Sequence, residues 1–470
     1  MQDIDSIFYP ESIAIVGASA KPGSPGTRNF LLPLLHFGYQ GRIYPVNPKQ
    51  DEIAGLKAYA SIRDIPEPVD YVMCAISAPF TPQLVQDCAA TGVKVVAFYT
   101  AGFSDTGDNE GIKLESELLE IARRGGVRIL GPNCLGIHSP RARVIFEMES
   151  LTESGNIGYC SQSGGNTRDL IALGAARGIY FSKAVSYGNA LDLNESDFLE
   201  YFTSDAETGI IAAYIEGVKQ PRRFLRILNR AAHTKPVIVL KGGQTEAGMG
   251  VVASHTGSLA GSREVWDSIF KQRGVIQVRN LDEMADTLLA FSCLKPPRGR
   301  RVAIMGVGGG LSVQAADDCE NAGLTVPLFS PEVRQELRRF NPKAGTSIRN
   351  PLDASQDTYR DPALFARAME LVSSSDNIDT LIVTLSPRYA LLTRRVEAWW
   401  EQVQSVIEAG RRLDKPVAFI LLGANVPEAY ELAFEAQRRF SDFGLPTYPT
   451  VSRAAQAISR LIGYHESRDL

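Results

Sequence analysis

The sequence has little cysteine, no long apolar run and no excess of positive charge. Its 6 cysteines are scattered over 470 residues without a CxxC pair, so we expect neither a disulfide framework nor a zinc site. No stretch approaches 18 consecutive apolar residues, which argues against a membrane span. The first residues are acidic and contain no apolar signal core. These features predict a cytoplasmic protein.

The charge balance excludes some partners. A formal net charge of −4 provides no basic field for nucleic acid or for an anionic membrane surface, so we expect neither as a partner. Any anionic ligand must instead be held by helix N-termini and a few lysines or arginines. The hydrophobic fraction of 44% is typical of a globular protein.

Short β-branched runs alternate with helical patterns along almost the whole chain, which indicates parallel α/β layers. Three blocks each begin with an apolar strand, a Gly- or Ser-rich turn and a helix. Two prolines at 296–297 mark a linker before the third block. We therefore predict an α/β protein of three consecutive Rossmann-like or flavodoxin-like parallel-sheet domains, at 1–147, 148–295 and 296–470.

The same patterns predict individual elements. Strands are expected at 12–17, 42–46, 69–76, 93–98, 127–130, 155–160, 180–186, 209–215, 236–241, 301–306, 379–384 and 416–422. Helices are expected near 27–37, 81–91, 110–124, 164–177, 195–203, 221–232, 261–273 and 452–463. A long polar loop is expected at 242–260, because glycines and small polar residues dominate it.

The first turn, at 17–26, follows a strand and begins at Gly17. Such a turn exposes N–H groups at a helix N-terminus and favours an anion, although its glycines can equally serve only close strand–helix packing. It is not G-x-G-x-x-G, and the second strand ends at Asn47 and Lys49 without the acidic residue of an NAD site. Lys21 and Lys49 suit a nucleotide with an extra phosphate, such as CoA or NADP, unless both are merely solvated surface residues.

The second turn carries hydroxyl groups and glycines at the start of a predicted helix. Its side chains and N–H groups can stabilise a phosphoryl group, while a plain N-cap role for Ser161 or Ser163 is the alternative. The candidate phosphate-binding residues are Ser161, Gln162, Ser163, Gly164 and Gly165.

His255 lies in the Gly-rich segment at 242–260. A neutral imidazole is nucleophilic near pH 7 and can form a phosphoramidate, although an isolated loop histidine is more often only solvated. Glu216 ends an apolar strand, at the edge where ligands collect in open α/β sheets. Its carboxylate can orient an imidazole by accepting from the other ring nitrogen, or it can be a surface residue of a turn.

Five motifs occur in a specific order. They are Ile15–Ser24, Gly131-Pro132-Asn133-Cys134-Leu135-Gly136, Ser161–Gly165, Tyr214-Ile215-Glu216-Gly217 and Ser254–Gly261. Together they resemble the α subunit of NDP-forming (ADP-forming) acyl-CoA synthetases, relatives of succinyl-CoA synthetase, over about residues 6–465. The resemblance implies a CoA-binding domain, a domain with a phosphohistidine loop and a ligase-CoA domain.

The resemblance also implies a reaction. A carboxylate, CoA and a nucleoside triphosphate would reversibly give acyl-CoA, a nucleoside diphosphate and phosphate, through an acyl phosphate and phosphorylated His255, with Glu216 as the second catalytic residue. Ser161–Gly165 would face the phosphohistidine. CoA would contact Gly17, Ala18, Ser19, Lys21, Gly23, Ser24, Asn47, Lys49, Ile76, Ser77, Pro79, Gly102 and Asn133.

One part of this machinery is missing from the sequence. We find no ATP-grasp-like stretch, so the resemblance implies a β subunit that brings ATP/ADP or GTP/GDP and Mg²⁺, in an α2β2 assembly, and no metal site in this chain. The turn at 306–310 is richer in glycine than that of acetate-type members, which leaves the acyl group open. The alternatives are a CoA-binding regulatory or scaffold module without turnover and, disfavoured by the first turn, an NADP-dependent oxidoreductase.

Overall fold

The computed structural model describes residues 4–146, 148, 150–256, 262–306, 308–340, 348–353, 361–423 and 426–468, and only the backbone at 253–256 and at 340. The chain divides into two compact units, Met1–Ala175 with Tyr180–Leu281, and Ala176–Ile179 with Asp282–Leu470. The described strands form three larger, mostly parallel sheets and one two-stranded ribbon. The predicted α/β fold class is therefore confirmed.

The first sheet is parallel, with the order β2-β1-β5-β6-β7. Its strands are β1 Ser12–Val16, β2 Arg42–Val46, β5 Tyr71–Cys74, β6 Val95–Phe98 and β7 Arg128–Leu130, and β3 Glu52–Ile53 pairs with β4 Leu56–Lys57 as a separate ribbon. The helices are α1 Asp5–Phe8, α2 Leu32–His36, α3 Thr81–Thr91 and α4 Asn109–Gly125, with a π-helical turn at Thr27–Leu31. These strands lie within the predicted runs, since β-branched segments buried on both faces form parallel strands.

The second sheet has the order β13-β12-β11-β9-β10-β8. Its strands are β8 Gly136–His138, β9 Ile157–Ser161, β10 Phe181–Ser186, β11 Ile210–Ile215, β12 Val237–Lys241 and β13 Ile276–Val278. The helices are α5 Gly164–Arg177, α6 Glu195–Ser204, α7 Pro221–Thr234, α8 Glu246–Thr256 and α9 Arg263–Arg273. Only β8 runs antiparallel, beside β10, and it comes from the part of the chain before residue 147.

Helix α8 corrects the prediction of a loop at 242–260. The Gly248 N–H donates to the Thr245 hydroxyl at 3.1 Å, and the Met249 N–H donates to the Thr245 carbonyl at 2.7 Å, so the helix begins with a satisfied first turn. Glycines at 248 and 250 made the segment resemble a loop, although single glycines reduce helix stability without forbidding a helix. The predicted loop residues 257–260 and Gly261 lie outside the described residues.

The first two sheets share one unit and one hydrophobic core, which includes Phe8, Leu130 and Tyr187. Arg128 on β7 forms a bidentate ion pair with Asp192, at 2.7 and 3.1 Å. Fully buried Lys183 on β10 donates to Asp205 at 2.9 Å and to Glu207 at 2.6 Å. The Arg128–Asp192 pair joins positions 64 residues apart in the sequence.

The second unit contains a parallel sheet with the order β14-β15-β16-β17. Its strands are β14 Val302–Met305, β15 Thr380–Leu385, β16 Val417–Leu421 and β17 Thr447–Tyr448. Described helices in this half of the chain are Leu281–Cys293, Gly310–Asn321, Pro331–Phe340, Pro362–Ser373, Pro387–Leu392, Val396–Arg412, Pro427–Ser441 and Val451–Glu466. Among the described helices, none is long and apolar enough to cross a membrane.

Candidate active site

The second Gly/Ser turn connects β9 to the N-terminus of α5. The Ser161 hydroxyl donates to the Ser163 carbonyl at 2.8 Å and accepts from the Ser163 N–H at 3.1 Å. The Ser163 hydroxyl accepts from the Asn166 N–H at 3.1 Å, which is an N-cap contact. Gly164 and Gly165 are the first residues of the 14-residue helix, so their N–H groups lie at its positive end.

Glu216 directly follows β11 and is only 6% exposed. Its backbone N–H and that of Gly217 both donate to the side-chain oxygen of Gln162, the latter at 3.0 Å. The Tyr214 hydroxyl donates to Glu216 Oε1 at 3.1 Å, and burial raises the pKa of Tyr214, so this hydroxyl stays a donor. Gln162 therefore connects the α5 turn to the glutamate, and its amide oxygen accepts both of these hydrogen bonds.

Lys241, the last residue of β12, is a buried cation beside the same glutamate. Its Nζ donates to the Glu216 carbonyl oxygen at 2.7 Å and to the Gly242 carbonyl, and lies 5.2 Å from the centre of the Trp266 ring. Burial lowers the pKa of Lys241 to about 8, and the Glu216 charge partly opposes this shift. The sequence analysis did not single out this lysine, because its chemistry depends on packing.

The first turn follows β1 and packs closely. Gly17 has φ +94°, and a Cβ there would lie 2.8 Å from the Ala75 carbonyl oxygen, so the position requires glycine. The Ser19 N–H donates to Thr27 at 2.8 Å, and the Lys21 N–H to the Ser19 hydroxyl at 3.2 Å. These N–H groups are already satisfied, so an anion here would depend on side chains.

The other predicted CoA contacts surround this turn and the neighbouring strand ends. Asn47 donates to the Ala18 carbonyl at 2.8 Å and accepts from the Lys49 N–H at 2.9 Å. The Lys21 and Lys49 side chains are exposed. Of the remaining predicted residues, Gly23 has φ +77°, and the Ser24 hydroxyl donates to the Gly17 carbonyl at 3.4 Å. Pro79 lies in the turn Ala78–Phe80, and the Gly102 N–H donates to Asp105 at 3.0 Å.

A cavity of about 600 Å³ brings two groups of predicted residues together within the first unit. Ile76, Ser77 and Asn133 line it from the predicted CoA set. Its wall also contains four predicted phosphate-binding residues, namely Gln162, Ser163, Gly164 and Gly165. Of the first turn, Pro25 contributes to the described lining, whereas the residues predicted from 17–24 do not.

His255 belongs to α8, near the C-terminal end of that helix. Its side chain lies outside the described part of the structure. The helix packs against the turn Ser104–Thr106 of the first sheet's loops. The structure therefore places the backbone of α8 beside a loop of the predicted CoA domain, without defining the imidazole.

The cavity also contains residues that the sequence analysis missed. They include Tyr99, Thr100, Arg168, Gly188 and Asn189. Arg168 lies on the second turn of α5, and Asn189 follows the carboxyl end of β10. Position after a strand end, the signal that pointed to Glu216, could have identified Asn189 as well.

Comparisons with known protein families match both halves of the first unit. Residues 11–140 match the CoA binding domain family. Residues 154–291 match the succinyl-CoA ligase like flavodoxin domain family. The cavity residues from the first sheet fall within the former match, and the α5 turn and Glu216 fall within the latter.

Full-length relatives are ligases. The α subunit of ADP-forming acetate–CoA ligase II from Pyrococcus furiosus is 35% identical, over 98% of this chain and 97% of that subunit. ADP-forming acetate–CoA ligase I from Archaeoglobus fulgidus is 34% identical, over 98% of this chain but 64% of that protein. The chain therefore spans nearly all of the first relative and about two thirds of the second.

A solved structure matches the whole chain. It is that of a dinucleotide forming acetyl-coenzyme A synthetase 1 from Ca. Korarchaeum cryptofilum in complex with phosphate and ADP. The two chains superpose with a TM-score of 0.84 and 32% identity, over 100% of this chain and 98% of the other. The chain belongs to the family of ADP-forming acyl-CoA ligases.

Proposed function

We propose that this chain is the α subunit of an NDP-forming acyl-CoA synthetase and that His255 carries the phosphoryl group. The observation that carries the proposal is the shared cavity, where Ile76, Ser77 and Asn133 meet the N-terminus of α5. A helix N-terminus favours phosphate, and strand ends of an open α/β sheet are typical ligand sites. A CoA thiol and an acyl phosphate can therefore meet in one cavity.

The proposed chemistry has three transfers in the acyl-CoA-forming direction. A ring nitrogen of His255 attacks the terminal phosphorus of a nucleoside triphosphate, and the nucleoside diphosphate leaves. A carboxylate oxygen then attacks that phosphorus, which breaks the N–P bond and forms an acyl phosphate. The CoA thiolate finally attacks the acyl carbonyl carbon, and phosphate leaves with the electrons of the C–O bond.

Within this scheme each described residue has a proposed role. Glu216 accepts a hydrogen bond from the imidazole and stabilises its charge, as in other oriented-imidazole sites. The N–H groups of Gly164 and Gly165 stabilise the phosphoryl oxygens, with Ser161 and Ser163 shaping the turn. Gln162 positions Glu216 through its bonds to the Glu216 and Gly217 N–H groups. Lys21 and Lys49 provide exposed charges for the phosphates of CoA.

The partner and the nucleotide belong to the proposal. The longer A. fulgidus relative is a single chain of which this chain covers 64%, and the P. furiosus relative is named an α subunit. We infer an ATP-grasp β subunit that brings ATP or GTP and Mg²⁺, in an α2β2 assembly within the cytoplasm. We place domain boundaries near residues 147 and 295. The first domain would bind CoA, the second would carry the phosphohistidine, and the third would be the ligase-CoA domain. The acyl substrate is a small carboxylic acid.

Labelling of the histidine tests this function. The chain with its partner, Mg²⁺ and ATP labelled in the terminal phosphate should acquire acid-labile, base-stable label on this chain. His255→Ala should abolish the label, and Glu216→Gln should slow labelling while CoA binding is retained. Label that survives in the His255→Ala variant would rule out this histidine as the carrier.

A further inference from the structure

Among the described residues that line the cavity, Arg168 is the only one with a charged side chain. The other described lining residues are apolar or uncharged, and none of them is acidic. Arg168 is an exposed residue, whereas its neighbour Thr167 is buried, so a ligand in the cavity can reach the arginine side chain. An arginine keeps its positive charge at any ordinary pH, and a cavity with this charge favours an anion.

The position of Arg168 on α5 directs its side chain toward the start of that helix. Arg168 follows Gly165 by three residues and Gly164 by four, and all three line the cavity. Residues with this spacing share one face of a helix, and a long side chain extends from its Cα toward the helix N-terminus. The guanidinium therefore extends over the turn that contains the N–H groups of Gly164 and Gly165.

Two kinds of donor converge at this turn. The N–H groups of the two residues after Gly165 donate to Ser163, at 3.1 Å each, so the glycine N–H groups before them are the ones that a ligand can use. The arginine adds a positive charge and a planar fork of N–H groups that matches phosphate oxygens. A phosphoryl group suits this arrangement, because its three oxygens can be shared between the helix N-terminus and the guanidinium.

We propose that Arg168 binds oxygens of the phosphoryl group that passes between His255 and the acyl carboxylate. The inference rests on the proposed function and adds a catalytic residue to it. A carboxylate and a phosphoryl group are both anionic, so they repel each other as the carboxylate oxygen approaches phosphorus. The guanidinium offsets part of this charge, and it does so in both directions of the transfer.

The first test measures the binding of inorganic phosphate to the full chain by titration calorimetry. Arg168→Met keeps a long side chain and a good helix former but removes the charge and the fork. Phosphate should therefore bind about ten- to hundredfold more weakly, the loss expected for hydrogen bonds between charged groups. Arg168→Lys keeps the charge without the fork, so its phosphate affinity should lie between those of Arg168→Met and the wild type. The affinity for CoA should not change in either variant.

Arg226→Met is the matched control, because it makes the same substitution at an exposed position of α7. Arg226 is not among the described residues that line the cavity. Its phosphate affinity should equal that of the wild type, and a loss as large as that of Arg168→Met would show a general effect of charge. Weaker CoA binding with unchanged phosphate binding in Arg168→Met would assign the arginine to CoA. Either outcome overturns the inference, as does a wild-type chain that binds no phosphate.

A kinetic test with the partner, Mg²⁺ and terminally labelled ATP separates two steps. Arg168→Met should form phosphohistidine at the wild-type rate, because the nucleotide site is proposed for the partner. After CoA and a carboxylic acid are added, the label should leave His255 about ten- to hundredfold more slowly than in the wild type. The slowing should be equal for monocarboxylic and dicarboxylic acids.

Two kinetic outcomes would contradict the role of Arg168. Slowing confined to dicarboxylic acids would place the arginine at the acyl tail, and phosphohistidine formation slowed as much as its loss would indicate a general disturbance of the fold. A chain that is never labelled fails the proposed phosphoryl transfer, whereas the phosphate titration decides independently whether Arg168 binds a phosphate group.

Discussion

At the scale of single residues, Glu216 is held on three sides. Gln162 accepts from its N–H, Lys241 donates to its carbonyl, and Tyr214 donates to its carboxylate. All of these groups are at least partly buried, so the hydrogen bonds are strong and their loss would cost free energy of folding. The carboxylate therefore has a defined position before any ligand binds, as an orienting residue requires.

The contact with Gln162 gives the first prediction. Gln162→Met keeps the length of the side chain but leaves the buried N–H groups of Glu216 and Gly217 without an acceptor. We expect this loss to reduce the unfolding free energy by about 1 to 3 kcal/mol. Phosphorylation of His255 should slow, because Glu216 loses its fixed position, while the affinity for adenosine 3′,5′-bisphosphate should not change. Urea unfolding and single-turnover labelling measure the two effects. Unchanged labelling would show that Gln162 does not position Glu216.

Glu195 gives a pH-dependent prediction. This first residue of α6 is fully buried, its carboxyl oxygens have no partner in the described protein, and burial raises its pKa to about 7. Because the folded-state pKa lies above the ordinary value, the folded state binds the proton more tightly. Stability should therefore fall as pH rises from about 4.5 through 7. Glu195→Gln should raise the unfolding free energy by about 1 to 3 kcal/mol at pH 8 and change it little at pH 4.5.

Denaturant unfolding at both pH values measures this effect. The control is Glu110→Gln, which changes an exposed glutamate, also in the first turn of a helix. It should give no comparable difference between pH 4.5 and pH 8. A stabilisation by Glu195→Gln that is equal at both pH values would contradict the titration of Glu195 as its cause.

At the scale of elements, strand positions were largely predictable and α8 was not. Runs such as Tyr71–Cys74 and Val237–Lys241 are apolar and buried along their whole length, so composition alone identifies them. The segment of α8 contains two glycines and small residues, which resemble a loop in sequence. Its helical state depends on the Thr245 contacts and on packing against Ser104–Thr106, which no local pattern reveals.

Helix α8 gives an element-scale prediction. A Cβ at Gly250 would meet no atom within 4 Å, so Gly250→Ala should stabilise the helix by up to about 1 kcal/mol. Amide exchange in α8 should slow about fivefold. If movement of this helix carries His255 between the cavity and the nucleotide site proposed for the partner, ATP-dependent turnover should fall as well.

Gly248→Ala is the control within the same helix. Its added Cβ would lie 3.1 Å from Thr245 Oγ1 and 3.3 Å from the Gly243 Cα, which crowds the first turn. It should stabilise α8 less than Gly250→Ala does, or not at all. Slower exchange together with unchanged turnover in Gly250→Ala would separate helix stability from phosphoryl transfer and argue against movement of α8.

At the scale of the whole molecule, the first two sheets share one compact unit and one hydrophobic core. Contacts that the sequence did not predict connect them: Arg128 pairs with Asp192, and Asn189 binds Asp105 and Glu115. Such pairs join residues 60 to 90 positions apart, and sequence patterns report only local periodicity. The same reason explains why the sequence did not single out Asn189 and Lys241, whereas Glu216 and the α5 turn were predicted from their motifs.

This arrangement separates the proposed reaction into two half-reactions. The CoA and phosphoryl sites are proposed for this chain, whereas the nucleotide site is proposed for the partner. The chain alone, given an acyl-CoA and labelled phosphate, should form an acyl phosphate and then label His255 with release of the carboxylate. The chain alone with terminally labelled ATP should remain unlabelled until the partner is added.

Because the sequence does not identify the acyl group, a panel of acyl-CoAs is needed, and the one that gives the fastest labelling identifies the substrate class. ATP labelling without the partner would place the nucleotide site on this chain, and a failure of every acyl-CoA to label it would show that the partner also completes the acyl site.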